Sequence, residues 1–331
     1  MRLQPHRLAQ MTFDTATLVH TYPARWQDAN KKRVHAIACP PGSVHQGSIE
    51  VSRWKAVTLP EALPACELIP VELRADLFDY GPSGEGELAW YLNFAHAHLF
   101  VAYGGSLLAQ DELQVAEHPA LGSVREALVD GSSTLTPLTV EGGEPTPITL
   151  MGVERRCAIA TDRNAAKGRP YGLYGNRFRT ASEGVIREAT RRLEPPTVTH
   201  LIAMEAPVGY TGAYTEDQLR FILTTAVTGF AAAVQATQHR FAGLTTTVHT
   251  GFWGCGAYGG NRELMALLQL LSAHMAGVDR LVFHTFDLHG LQIAQAAQKR
   301  LEQLLDSTTH LGPLIAALLK HGYRWGVGDG T

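Results

Sequence analysis

This 331-residue sequence has no excess of basic residues, no closely spaced cysteines and no long apolar runs. Lys and Arg total 28 against 31 Asp and Glu, which gives a net charge of -3. General nucleic-acid binding requires a basic surface, so we do not expect it. No apolar run reaches the roughly 20 residues that cross a bilayer, and no apolar stretch follows the N-terminal arginines. We therefore expect a cytoplasmic protein that does not associate with membranes.

The four cysteines, Cys39, Cys66, Cys157 and Cys255, lie far apart and form no C-x-x-C pair. This spacing excludes a disulfide framework and a cysteine zinc site, and it is typical of reduced thiols. His96 and His98 would share one face of a strand, but the sequence places no third ligand nearby. We therefore expect no metal site and no cofactor.

Apolar runs alternate with helical patterns in the part of the chain that follows Gly81–Glu87. The segments LAWYLNFA, HLIAMEAP, TTTVHTGF and DRLVFHTF read as buried strands, whereas LLAQDELQVA and the stretches after Thr215 and Asn261 have helical spacing. Thr215 with Gln218 predicts a capping box. Two further helices are expected around 291–305 and 313–319. The alternation predicts an α/β fold with helices on both faces of a sheet.

Two segments lack such a pattern. The chain before residue 81 is broken by Pro40, Pro41, Pro60 and Pro64, which predicts an irregular, partly helical lead-in. The segment 128–152 is rich in Thr, Gly and Pro and predicts a loop or hairpin. We therefore divide the chain into an accessory region, 1–85, packed on a core of residues 86–331.

The stretch GFWGCGAYGGN, residues 251–261, connects a predicted strand to a predicted helix. Its glycines allow the backbone to approach a ligand closely, and amides at a helix start attract anions such as a diphosphate. The loop lacks the Lys-Ser/Thr of a Walker A motif and is not G-x-G-x-x-G. Close backbone packing alone explains such glycines equally well.

Two adjacent acids, Asp111 and Glu112, follow Gln110 at a predicted helix start, shortly after a glycine turn at Gly104 and Gly105. Adjacent carboxylates repel each other, which raises the pKa of at least one and suits it to donate a proton. The alternative is that acids favour the first turn of a helix because of its dipole.

These motifs resemble those of the poly(ADP-ribose) glycohydrolases. The stretch GFWGCGAYGGNRELMALLQLLSAHMAGVDRLVFHTFD is similar to the family's loop, which reads approximately GNWGCGAFGGD, and to the helix and strand after it. NFAHAHLFVAYGGSLLAQDELQVAEHPAL resembles its D-F-A-N, glycine run and Q-E-E signature. The resemblance extends from about residue 55 onward. It implies a macrodomain-like three-layer α/β/α fold with a mixed sheet, and ADP-ribose bound in a cleft between two loops.

The resemblance also implies a role for individual residues. Glu112 would protonate the leaving ribose oxygen and then activate water, and Asp111 would orient the substrate ribose. Phe286 would stack on adenine, and Tyr174 would stand in the cleft. The substrate-binding residues implied in this way are His96, Gly104, Gly105, Gln110, Tyr174, Trp253, Gly254, Cys255, Gly256, Ala257, Tyr258, Gly259 and Phe286.

The sequence departs from the family's pattern at positions of the implied catalytic and substrate-binding site. Phe100, Val101 and Ala102 replace the family's glycine triplet, so that Gly104 and Gly105 would offer a shifted substitute. His96 and Phe252 each replace an asparagine, and Asp111 replaces a glutamate.

Three functions therefore stay open. The first is hydrolysis of an O-glycosidic ADP-ribose linkage, in a polymer or a terminal conjugate. The second is ADP-ribose binding without cleavage. The third is hydrolysis of another ADP-ribosylated acceptor, a protein side chain or a nucleic-acid base. The expected partner is ADP-ribose or an ADP-ribosylated macromolecule.

Overall fold

An eight-stranded mixed sheet organises the computed structural model, which describes residues 3–81 and 83–330. The strand order is β1-β2-β7-β8-β4-β9-β10-β3, and β5 pairs with β6 in a separate hairpin. The strands are β1 Arg7–Asp14, β2 Ser48–Trp54, β3 Val71–Arg74, β4 Glu87–Phe94, β5 Val140–Glu141, β6 Glu144–Pro145, β7 Ile148–Ile159, β8 Thr190–Met204, β9 Thr245–Gly251 and β10 Arg280–His284.

Helices cover both faces of this sheet. They are α1 Thr15–Thr21, α2 Ala29–Ala38, α3 Gln110–Glu117, α4 Ala120–Val129, α5 Glu183–Ala189, α6 Glu216–Arg240, α7 Arg262–Ala276, α8 Leu288–Ser307 and α9 Leu311–His321. Two single 3₁₀ turns occupy Ala165–Lys167 and Phe178–Thr180.

The sheet has an antiparallel and a parallel half. Strands β1, β2, β7 and β8 pair antiparallel, whereas β8, β4, β9, β10 and β3 pair parallel. Strand β8 joins the two halves. The carboxyl ends of β8, β4 and β9 therefore lie side by side, where ligand sites of parallel sheets commonly form.

The central strand β4 shows why the fold has three layers. Leu88, Trp90 and Leu92 enter a core cluster with residues of α6, α7, α8 and α9, whereas Ala89 and Tyr91 enter a second cluster with residues of α1 and α4. Alternate side chains of a strand point to opposite faces, so β4 must be covered on both sides. The predicted three-layer α/β fold is confirmed.

By length and composition, helix α6 could cross a membrane, but 72% of its most apolar 18-residue stretch is buried inside the fold. Burial of this kind is what a core helix of a globular protein shows. The predicted capping box begins this helix: Gln218 N donates to Thr215 Oγ1 at 3.3 Å, and Thr215 N donates to Gln218 Oε1 at 3.2 Å.

The predicted irregular lead-in is wrong, because the chain before residue 81 contributes β1, β2 and β3 to the main sheet and forms α1 and α2. Strand β1 is mostly exposed, and its apolar residues do not form a continuous run. The segment 128–152 does contain the predicted hairpin, β5-β6, but it also includes the start of β7. The division at residue 85 falls between two strands of one sheet and stays a prediction.

The segment before α2 packs tightly against the turn that follows β4. Gln27 N and Asp28 N both donate to Gly104 O, at 2.9 and 3.0 Å, and Arg25 N donates to Tyr103 Oη at 2.6 Å. A Cβ atom at residue 104 would lie 2.4 Å from Arg25 O, which is backbone. Gly104 is therefore required for this contact.

We expect Gly104→Ala to lower the free energy of unfolding by about 1–3 kcal/mol, because the added methyl forces two backbone segments apart. Urea unfolding measures the change. Gly312→Ala in α9 is the control, since a Cβ there meets nothing within 4 Å and alanine favours a helix. Equal stability of the two variants would contradict the close contact.

Candidate active site

A cavity of about 300 Å³ lies at the carboxyl ends of β8, β4 and β9. Its wall comes from the loops that follow these strands and from the start of α3. The lining residues are Phe94, Ala95, His96, Val101, Ala102, Leu107, Ala109, Gln110, Asp111, Glu112, Tyr174, Ala206, Phe252, Trp253, Gly254, Gly256, Ala257 and Tyr258.

Ten residues predicted from the sequence meet in this cavity. They are His96, Gln110, Asp111, Glu112, Tyr174, Trp253, Gly254, Gly256, Ala257 and Tyr258. Five other predicted site residues do not line it, namely Gly104, Gly105, Cys255, Gly259 and Phe286.

The two acids are buried at the start of α3. Asp111 is 7% exposed and Glu112 is 5% exposed. Asn93 Nδ2 donates to Asp111 Oδ1 at 2.9 Å, and Ala109 N donates to Glu112 Oε2 at 3.0 Å. The second bond is a helix-capping contact, so the first-turn interpretation accounts for the conformation of Glu112. Both carboxyl groups nevertheless border the cavity.

The surroundings of the acids favour protonation. Burial, and then the charge of Glu112, raise the pKa of Asp111 to about 7. Burial also raises the pKa of Glu112, while the Lys31 ammonium opposes the rise in both groups. Neighbouring carboxyl groups that interact titrate together, and both shifts favour retention of a proton by the pair.

Gln110 holds the helix start against the end of β4. Phe94 N donates to Gln110 Oε1 at 2.7 Å, and Gln110 Nε2 donates to Leu92 O at 2.9 Å. The Gln110 backbone is hydrogen-bonded to the Tyr174 hydroxyl, and burial raises the pKa of that hydroxyl. Asp111 and Glu112, which follow Gln110 in the chain, are thereby fixed relative to the sheet.

Several glycines of the second loop serve close packing. Gly254 has φ +73, and a Cβ there would lie 2.5 Å from Ala206 Cβ. Gly259 has φ +68 and is packed against Gly326 O, so it faces the C-terminal segment instead of the cavity. Gly256 and Ala257 border the cavity. The loop therefore combines the packing and the ligand-facing roles that its sequence allows.

Two other predicted members of this loop pack against the core. Trp253 is 1% exposed, and its Nε1 donates to Met204 O at 3.0 Å. Cys255 Sγ contacts Trp253 O at 3.5 Å and packs against the core. The side chain of Cys255 is therefore part of the support of the loop.

The turn after β4 differs from the sequence-based expectation. Phe100 has φ +54 but is fully buried in the core, so only Val101 and Ala102 of the replaced triplet reach the cavity. Gly105 N donates to Ala102 O, and Gly104 O accepts from the segment before α2. The expectation that Gly104 and Gly105 face the ligand is therefore not met, because their backbones are used within the fold.

Two predicted residues stand at or outside the rim. Phe286 follows β10, is 60% exposed and donates its N–H to Asp76 O. His96 is exposed, and its ring stacks on that of His98 at 5.8 Å, in a loop and not on a strand. Within residues 3–81 and 83–330, no group of three His, Cys, Asp or Glu side chains could hold a metal ion.

Sequence reasoning missed Lys31, Asn93 and Glu205. Tyr258 Oη donates to Glu205 Oε1 at 3.4 Å, and burial raises the pKa of this third carboxyl beside the cavity. Its position directly after the buried strand HLIAM was an available signal. No comparable signal marked Lys31, since a Lys-Lys-Arg run usually indicates a solvated face.

Residues 164–293 match the family model described as poly(ADP-ribose) glycohydrolase (PARG), macro domain fold. The class of fold that this segment defines is thus the macro domain. Over this range the chain matches the poly(ADP-ribose) glycohydrolase family, which confirms the resemblance drawn from the sequence. The matched range contains Tyr174 and the glycine loop, whereas Asp111 and Glu112 precede it.

Solved structures of poly(ADP-ribose) glycohydrolases are similar to this chain. That from Thermomonospora curvata has 17% identity, covers 87% of this chain and 97% of its own, and gives a TM-score of 0.44. That from Deinococcus radiodurans in complex with ADP-ribose has 15% identity, covers 90% and 96%, and gives a TM-score of 0.40. No curated protein matches the chain.

We expect Asp111→Asn to stabilise the protein more at pH 8 than at pH 5. The folded state holds a proton on Asp111 up to about pH 7, whereas the unfolded chain releases it near pH 4. The unfolded state thus binds fewer protons between these values, so wild-type stability falls as the pH rises through this window.

Melting temperatures at the two pH values measure the effect, which should be on the order of 2–5 °C. Asp306→Asn, at an exposed position of α8, is the control and should show no such dependence. A gain for Asp111→Asn that is equal at both pH values would refute the buried-acid interpretation.

Proposed function

We propose that the protein is an ADP-ribose glycohydrolase. It hydrolyses an O-glycosidic ribose linkage of poly(ADP-ribose) or of a terminal ADP-ribose conjugate, with Glu112 as general acid and base. The observation that carries the proposal is that a buried acid pair and a glycine loop line one cavity. The family match over the glycine loop supports the ligand class.

Glu112 has the environment that this chemistry requires. Burial raises the pKa of its carboxyl group, which favours the protonated form that donates to the leaving ribose oxygen. The resulting carboxylate then accepts a proton from the water that attacks the anomeric carbon. Ala109 N donates to one carboxyl oxygen and so orients the group.

Residues in the lining and one residue outside it bind the substrate. Asp111, oriented by Asn93, accepts hydrogen bonds from ribose hydroxyls. The backbone amides of Gly256 and Ala257 bind the diphosphate, because amide groups at a loop before a helix attract anions. We keep Phe286 as the residue that stacks on adenine, since its exposed ring follows a strand adjacent to β9.

One observation favours a second candidate, ADP-ribose binding without cleavage. The side chains of Val101 and Ala102 occupy a wall of the cavity where the family has glycine. The same altered wall suits a different ADP-ribosylated acceptor, a protein side chain or a nucleic-acid base.

We place the activity in the cytoplasm.

We expect Glu112→Gln to lower turnover by about 10²–10⁴-fold while ADP-ribose affinity stays nearly unchanged. The amide retains the shape of the side chain but has no acidic proton to transfer to the leaving oxygen. The measurement pairs calorimetric titration of ADP-ribose with its release from poly(ADP-ribose) and from ADP-ribosylated protein.

Glu302→Gln, at an exposed position of α8, is the matched control. A Glu112→Gln protein that still turns over would refute the role of Glu112. Binding by the wild-type protein without release from any substrate would favour the non-catalytic module. Release from the protein conjugate but not from the polymer would favour the other acceptor class.

We expect Gly256→Val to abolish measurable ADP-ribose binding, because a branched side chain projects into the part of the cavity that receives the diphosphate. Gly184→Val is the control, since a Cβ at residue 184 meets nothing within 4 Å. Melting curves establish that both variants fold. Unchanged ADP-ribose affinity in Gly256→Val would show that the loop does not bind the diphosphate.

A further inference from the structure

An exposed aromatic ring stands on a strained stretch of backbone after β10. Phe286 is 60% exposed and has φ +72, in the left-handed region. Bulky residues rarely adopt this conformation, and it persists only where the surrounding structure enforces it. Two backbone hydrogen bonds to the segment after β3 do so here. Thr285 N donates to Arg74 O at 2.7 Å, and Phe286 N donates to Asp76 O at 3.1 Å.

The loop that carries Phe286 packs against the wall of the cavity. It leads into α8, where a Cβ atom at Gly290 would lie 2.9 Å from Phe252 Cε2. Phe252 lines the cavity. Just before the loop, His284 O packs against the end of β9, since a Cβ atom at Gly251 would lie 2.8 Å from that oxygen. The conformation of this loop is therefore coupled to the segment that forms the cavity.

Three hydrogen-bonded side chains connect the segment after β3 to β10 and β9. Asp76 Oδ1 lies 2.7 Å from His284 Nδ1, and His284 Nε2 lies 3.0 Å from His249 Nδ1. Both imidazoles are buried, which lowers their pKa values and favours neutral rings. Because the Asp76 carboxylate can only accept, His284 Nδ1 carries the proton, and its Nε2 accepts from His249 Nδ1.

Aromatic packing fixes the same histidine. The ring of Phe78 meets that of His284 edge to face, with centroids 5.0 Å apart, and meets that of Phe94 at 6.5 Å. Phe94 lines the cavity. His284 is therefore held by packing as well as by hydrogen bonds, and it offers Asp76 a rigid anchor. Asp76 does not line the cavity, so its effect on a ligand passes through the Phe286 loop.

We propose that Asp76 is a positioning residue that sets Phe286 as a fixed stacking face for the adenine base of ADP-ribose. Its carboxylate is anchored on the buried His284 ring, and its backbone oxygen holds the Phe286 N–H. A ring that is fixed before the ligand arrives loses little entropy on binding, so it binds a flat base more tightly than a mobile ring does. This role of Asp76 rests on the proposed stacking of Phe286 on adenine, but not on hydrolysis of the linkage.

Asp76→Ala tests the proposal, because it removes the carboxylate and retains the backbone oxygen. Calorimetric titration should show an ADP-ribose affinity lower by on the order of tenfold, a part of what base stacking contributes. The affinity for ribose 5-phosphate, which has no base, should stay unchanged. Asp76→Asn should restore most of the ADP-ribose affinity, since the amide oxygen still accepts from His284 Nδ1. Asp306→Ala, at an exposed position of α8, is the control.

A double-mutant cycle separates positioning from a general structural effect. In Phe286→Ala protein the ring is already gone, so Asp76→Ala should cause no further loss of ADP-ribose affinity. A loss of the same size in both backgrounds would overturn the proposal, as would an affinity that Asp76→Ala leaves unchanged. Melting curves establish which variants fold.

If Asp76→Ala does not fold, the wild-type protein decides. Nitrogen-15 NMR of the histidine rings should show the proton of neutral His284 on Nδ1. A proton on Nε2 alone would leave no hydrogen bond to Asp76 and would overturn the proposal.

These measurements distinguish the role of Asp76 from the hydrolase. Coupled losses of affinity in a protein that releases ADP-ribose from no substrate would support the role of Asp76 and overturn the hydrolase. Hydrolysis together with an affinity that does not respond to Asp76→Ala would support the hydrolase and overturn the role of Asp76. A wild-type protein that does not bind ADP-ribose would overturn both.

Discussion

Burial of two adjacent carboxyl groups is the constraint on which the rest of the site depends. Asp111 and Glu112 are less than a tenth exposed, and ionisation of both in that environment is unfavourable. The fold compensates with Asn93, the Ala109 backbone and the buried ammonium of Lys31. These partners compensate only part of the cost of burial, so the pKa values of both carboxyl groups remain raised. Ionisable groups with such shifted pKa values are typical of functional sites.

The walls of the cavity are held by close backbone contacts on two sides. On one side, the chain before α2 packs against Gly104. On the other, Gly254 packs against Ala206 and Gly259 against the C-terminal segment. A geometry that must be held to within a fraction of an ångström benefits from such support. The glycines of both loops therefore serve the site mainly by allowing neighbouring segments to come close.

The departures from the family affect the site unequally. Phe100 keeps a left-handed conformation but points into the core, so its bulk does not close the cavity. Val101 and Ala102 do present side chains to the cavity. Of the residues that replace the family's glycine triplet, only these two therefore change the lining of the cavity.

The sequence by itself determined the α/β alternation, the helix start at Gln110 and the loop 251–261, because apolar spacing and glycine content are local properties. The family resemblance added the roles of Asp111, Glu112 and Tyr174, and the fold brings these three to one cavity. Only the tertiary structure decided that β1 and β2 extend the sheet, that Gly104 faces the N-terminal segment, and that the buried Lys31 ammonium donates to Tyr103 O. These features depend on contacts between segments that are distant in the sequence, and no local pattern records them.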